Sequence, residues 1–166
     1  MTERAFGNLD LWMWEYTDNP RNYPGVHLTG RTAACDTLAE WLIRMQETPG
    51  GVRRTIPLRP LQSADVAKIS GRLPYRWFTK LELAVMPERD DLKQMSIRSE
   101  GERVIVEVTP ARIGDLLQGI RDVRAGTGDY AIRPKGGRAL AERLGQLDRE
   151  SLWLWFWPCF GHLAVD

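Results

Sequence analysis

Two histidines and two cysteines are the residues of this chain best suited to metal binding or nucleophilic chemistry, and they fall into two pairs. His27 precedes Cys35 by eight residues, and Cys159-Phe160-Gly161-His162 makes a C-x2-H. Thiolate and imidazole both suit Zn2+, so a Cys2His2 set of His27, Cys35, Cys159 and His162 is one chemistry the sequence permits. Against it, the gap between His27 and Cys35 exceeds the roughly two to four residues usual between paired zinc ligands. A thiol–imidazole nucleophile is a second chemistry. Cys35 lies at the expected start of a helix, where an exposed thiol is acidified by the free N–H groups. No local signature of a thiol enzyme surrounds either cysteine. The plainer reading is two buried thiols, two surface or capping histidines and no cofactor.

The glycine-rich stretch Gly126-Thr127-Gly128-Asp129-Tyr130 runs on to Arg133-Pro134-Lys135-Gly136-Gly137-Arg138. It is not a Walker loop, because no Gly-Lys-Ser/Thr follows at the required spacing. It is not a dinucleotide fingerprint, because it follows a helix rather than a strand. Lys135 and Arg138 at a helix start could hold an anion. A helix stop and a turn explain the same glycines more simply. An enzyme acting on a small anionic or phosphorylated ligand would draw on Cys35, His27, Asp129, Lys135 and Arg138. The carboxylates Glu15, Glu82, Glu107 and Asp129 lie on or beside expected strands. Acid–base work would need two of them to converge on a cleft, and solvated strand faces account for them without it.

Tryptophan carries the most architectural information. Five of the seven sit in two short runs, Leu11-Trp12-Met13-Trp14-Glu15-Tyr16 and Leu152-Trp153-Leu154-Trp155-Phe156-Trp157, always two residues apart. A strand sends such residues to one face. Trp12 and Trp14 then form one ladder and Trp153, Trp155 and Trp157 another, and the two ends of the chain can share a sheet. The ladders read as core, as a stacking platform for bases or sugars, or as a protein interface. A platform for single-stranded nucleic acid pairs its rings with cations, and neither run interleaves Lys or Arg. Both faces of the last run are apolar, as in a central strand covered on both sides. Trp and Arg are also favoured interface anchors.

These residues need a scaffold. Residues 9–16 read as a strand, and the turn formers of residues 17–25 lead to Val26-His27-Leu28. Thr32 is the expected N-cap of a helix over about 33–47, with Ala34, Leu38, Trp41, Leu42 and Met45 on one face. Residues 53–61 alternate like a strand but contain Pro57 and Pro60, so they belong at a sheet edge or in an extended loop. Ser63 can cap a short helix over about 64–70. Residues 77–86 read as one strand, with Trp77, Thr79, Leu81, Leu83 and Val85 on one face and Phe78, Lys80, Glu82 and Ala84 on the other. Residues 94–98 and 103–109 form a hairpin around Ser99-Glu100-Gly101-Glu102.

Thr109-Pro110 opens a second long helix as N-cap and N1. Ile113, Leu116, Leu117, Ile120 and Arg124 line one side of it. A short strand over 129–133, a helix over 138–146 and the strand over 152–157 complete the chain. Irregular insertion of helices among hairpins favours α+β. We expect a single mixed, mostly antiparallel sheet of about five to six strands, with the two long helices packed on one face.

The 166 residues suit one domain, 1–166, at 43% apolar and 27% charged. No apolar run approaches the roughly 18 residues needed to span a bilayer. The N-terminus lacks the pattern of a secretory signal. Two cysteines fit a reducing cytoplasm. The charge of +1 gives no basic field for nucleic acid. Arginine dominates the basic residues, 19 against the four lysines Lys68, Lys80, Lys93 and Lys135, a bias typical of a GC-rich bacterial coding sequence. The expectation is a small bacterial protein that binds another protein or itself rather than catalysing, for example an inhibitor or immunity-type partner. Neither nucleic acid nor membrane is an expected partner.

Overall fold

The computed structural model describes residues 9–17, 25–48, 50–61, 75–87, 95–133, 138–139 and 152–158. Among these residues ten strands and two helices follow in the order β1 (Leu11–Tyr16), β2 (Val26–Gly30), α1 (Thr32–Gln46), β3 (Val52–Pro57), β4 (Tyr75–Trp77), β5 (Lys80–Val85), β6 (Met95–Glu100), β7 (Arg103–Val108), α2 (Pro110–Arg124), β8 (Tyr130–Ile132), β9 (Arg138–Ala139) and β10 (Leu154–Phe156). The class is α+β, but the expected single sheet is two. One has six strands in the order β4-β1-β2-β10-β8-β9, and the other four in the order β3-β5-β7-β6. Pairing is mostly antiparallel. Each sheet holds one parallel pair, β2 with β10 and β5 with β7.

The division has a local cause. The strand expected over 77–86 breaks at Phe78-Thr79, where the chain changes sheets. The Phe78 amide still donates to Met13 O of β1 (3.0 Å), while the Thr79 amide donates to Glu102 O beside β7 (2.8 Å). The expected alternation of faces fails at this step. Phe78 is buried in the same core as Leu81, Leu83 and Val85, and Trp77 is left at the surface. β3, with its proline, is an edge strand. β6 and β7 form the expected hairpin. Gly101 supplies the positive φ (56°) that a two-residue turn needs at its first position.

Both helices bury the apolar residues of the faces read from their spacing, while Arg124, read onto the α2 face, is exposed and pairs with Asp36. Ala34, Cys35, Leu38, Trp41, Leu42 and Met45 of α1, and Ile113, Leu116, Leu117 and Ile120 of α2, join one core. Thr32 is the first helical residue of α1 and not its cap. The cap position is Arg31, whose amide donates to Asp10 O and whose side chain pairs with Asp10. Thr109 caps α2 with Pro110 in the first turn, as expected, without a side-chain hydrogen bond. The helices pack on each other and on the inner faces of both sheets, rather than on one face of a single sheet. Gly119 permits a close approach there: a Cβ on it would lie 2.3 Å from the Phe156 ring.

The two aromatic runs do share a sheet. They are not neighbours, because β2 lies between β1 and β10. Arg138 opens no helix: with Ala139 it forms a two-residue strand against β8. The rest of the helix expected over 138–146, and the short helix over 64–70, lie outside the described residues. Among the described residues no helix is long and apolar enough to cross a membrane.

Candidate functional site

β1, β2 and β10 alternate apolar residues between two faces. Met13, Leu28, Leu154 and Phe156 point into the core, so Trp14, His27 and Trp155 point outward from it. Strand register then places Trp77, Trp14, His27, Trp155 and Ala131 in one row across β4, β1, β2, β10 and β8. His27 is the centre of the row. Its ring stacks at 5.4 Å from Trp14, 5.8 Å from Trp155 and 5.9 Å from Trp157, and Tyr16 meets it edge-on at 4.7 Å. The Trp157 indole donates to His27 Nδ1 at 2.8 Å. Indole nitrogen only donates, so Nδ1 is unprotonated here and the neutral ring carries its proton on Nε2. The main chain of Trp157 is also tied to β2: its amide donates to Leu28 O, and its carbonyl accepts from Thr29 Oγ1.

This aromatic face is covered. His27 is 0% exposed, and Trp12, Trp14, Trp153 and Trp155 are all buried, with Trp157 half-buried. β10 is a central strand buried on both faces, which suits its apolar alternation. The Trp14 indole N–H is buried without a hydrogen-bond partner among the described residues.

The other sequence candidates are dispersed. Cys35 is buried in the core, on the opposite side of the sheet from His27. The sheet therefore separates the His27–Cys35 half of the zinc set and of the thiol–imidazole pair. Among the described residues no group of three or more His, Cys, Asp or Glu side chains could hold a metal. Cys159, His162 and Lys135, and the side chain of Arg138, lie outside the described residues. Asp129 is exposed in the left-handed region (φ 67°), its amide donating to Phe156 O. A pocket between the sheets is lined, among the described residues, by apolar side chains such as Met13, Leu38, Leu83 and Leu154.

Glu82 and Glu107 serve an ion-pair network on the outer face of the four-stranded sheet. Arg53 pairs with Glu82, Glu82 with Arg103 (3.2 Å), Arg103 with Glu100 (2.8 Å), Glu100 with Arg98 (3.3 Å), Arg98 with Glu107 (2.7 Å), and Glu107 reaches back to Arg53 (3.9 Å). The ring closes with three charges of each sign. At its centre lies buried Ile105, paired across strands with Glu82 on one side and Arg98 on the other. Hydrogen bonds from Arg103 and then Arg98 hold the Glu100 carboxyl below its usual range. The hydrogen bond to Glu107 raises Arg98. The ring is electrically closed on itself.

Trp77 is the most exposed aromatic among the described residues. It is 39% exposed, at the end of Tyr75-Arg76-Trp77 in β4, one of the two outermost described strands of the six-stranded sheet. Arg76 is held by Glu15, by Ser99 Oγ (3.1 Å), and over the Phe78 ring at 5.2 Å. Spacing drew attention to the two tryptophan ladders and passed over Trp77, which belongs to neither. The signal available was the tripeptide itself, a Tyr, an Arg and a Trp in succession.

Comparison with protein-family models, with curated proteins and with solved structures finds no match for this chain.

Proposed function

We propose that this chain is a non-catalytic protein-binding module, acting in a reducing cytoplasm, that receives an extended segment of a partner protein along β4. The observation that carries the reading is the exposed Trp77 on a strand at the edge of the described sheet, while the other described tryptophans on that sheet face are buried or half-buried. Trp, Tyr and Arg are the residue types most enriched at binding hot spots. Backbone geometry supports the same surface. The Phe78 amide bonds to Met13 O, so in an antiparallel ladder the amide and carbonyl of Trp77 point away from β1. An added strand would bond to that edge, and its side chains would meet Trp77. Arg76 comes to such an interface already positioned by Glu15 and Phe78, which lowers the ordering cost of binding. An inhibitor or immunity-type role is one form of this function.

The test is quantitative capture from a bacterial lysate with the wild-type chain, Trp77→Ala, and a distant control, Arg121→Ala, followed by titration of the captured protein once purified. Trp77→Ala is expected to weaken binding at least tenfold, a hot-spot loss of about 1.4 kcal/mol or more, while Arg121→Ala binds as wild type. Binding indifferent to Trp77, or an inert monomer whose stability rises instead with a nucleotide, sugar phosphate or metal, overturns the reading.

A further inference from the structure

We propose that the stretch of chain joining β9 to β10, residues 140–151, crosses the outer face of the six-stranded sheet and packs on Trp153 and Trp155, so that the β10 tryptophan ladder belongs to the interior and is no binding platform. This stretch lies outside the described residues, and the strands at its two ends restrict its course. β9 and β10 are each antiparallel to β8, which lies between them, so they run in the same direction. Parallel strands need a crossover of about a dozen residues, and residues 140–151 supply that length.

The face crossed follows from chirality. The Trp157 amide donates to Leu28 O of β2, and Phe156 O accepts from the Asp129 amide beside β8. Main-chain groups alternate sides along a strand, so those of Trp155 point toward β2. An L-residue seen from its side-chain side, with the chain running upward, has its N–H and C=O on the right. Trp155 points outward, so from the outer face β2 lies to the right of β10, and β8 and β9 lie to the left. A connection that moves rightward from β9 to β10 is right-handed only when it passes on the viewer's side of the sheet. Such connections are right-handed in about 98% of cases, which selects the outer face. The inner face is already occupied, since Gly119 of α2 meets the Phe156 ring there.

Burial agrees with that course. Ala131 of β8 and Trp153 and Trp155 beside it form an apolar cluster of their own on the outer face, apart from the main core. Trp155 is 0% exposed, and a ring on a sheet face reaches that value only beneath a further layer. Both α1 and α2 pack on the inner side. Leu140, Leu144 and Leu147 fall at i, i+4 and i+7, an apolar stripe in an otherwise polar stretch.

Nuclear Overhauser cross-peaks in the wild-type chain read the course directly. The methyls of Leu140, Leu144 or Leu147 are expected to show cross-peaks to the indole protons of Trp153 or Trp155. No cross-peak between these leucines and these rings overturns the proposal. Leu144→Lys gives a second reading. A charge placed in the apolar layer should loosen it, so acrylamide quenching of tryptophan fluorescence is expected to rise severalfold. Ile43→Lys, at a side chain already 37% exposed on α1, should leave the quenching unchanged. Quenching of Leu144→Lys equal to wild type also overturns the proposal. The cross-peaks require no substitution, so they decide the matter even where Leu144→Lys does not fold. Failure here leaves the Trp77 reading standing, because β4 lies at the opposite edge of the described sheet from β9.

Discussion

Two glycines of α2 show how far one carbon's surroundings decide its effect. Gly114 is exposed with nothing near a would-be Cβ, whereas Gly119 faces the Phe156 ring at 2.3 Å. Alanine is favoured over glycine inside a helix by roughly 0.5–1 kcal/mol. Gly114→Ala is therefore expected to stabilise the protein by about that much in urea denaturation. Gly119→Ala gains the same helix term but must displace a fully buried ring, and overpacking costs ~1–3 kcal/mol. The expected net result is a loss of on the order of 1–2 kcal/mol. Equal effects at the two positions would mean that the helix does not approach the sheet at Gly119.

At the scale of elements, the two sheets are finished differently. The six-stranded sheet has aromatic residues on its outer face, and the four-stranded sheet has the Arg–Glu ring. Glu82 holds Arg53 and Arg103 together and is the least exposed carboxylate of the ring, at 14%. Glu82→Gln is expected to cost about 1 kcal/mol, as for an exposed network member. High salt, which screens such pairs, should shrink the difference from wild type. The pH dependence follows from Glu100, whose carboxyl is held below its ordinary value of 4.5 by Arg103 and Arg98. A carboxyl depressed in the folded state stabilises above its unfolded value, and that contribution is lost as pH falls through the folded one. Glu100→Gln should therefore flatten the acid limb of the stability profile below about pH 4.5. An unchanged acid limb would show that the ring does not hold the hairpin.

For the whole molecule, closure of the six-stranded sheet depends on the last described strand. β10 sits between β2 and β8, and Leu154, Trp155 and Phe156 are all buried. Burying a large apolar side chain contributes about 1.5–3 kcal/mol, and a domain has only about 5–15 kcal/mol in total. A chain ending before Leu152 is expected to lose its near-ultraviolet circular dichroism and its sigmoidal urea transition. Cooperative unfolding of that truncated chain would mean that β1 and β2 form a stable unit without the strand. Strands from opposite ends of the chain meet in this sheet, so folding is dominated by non-local contacts and should be slow for its size.

What the sequence determined by itself is what depends on neighbours within a few residues. The apolar stripes of α1 and α2, the proline-marked edge of β3, the Gly101 hairpin and the two-sided burial of β10 are all set by local spacing, because side-chain direction repeats every 3.6 or 2 residues. The number of sheets was not legible. It turns on whether Phe78 and Thr79 bond to the same neighbouring strand, and those neighbours, Met13 and Glu102, are far away in the chain. The candidate site divided in the same way. The tryptophan ladders could be read from spacing. That His27 would sit among them, on the face opposite Cys35, required the register of β1, β2 and β10. That Trp77 would be the most exposed of the described aromatics required the sheet order. Register and order are fixed by packing across the whole chain, so only the tertiary structure could decide them.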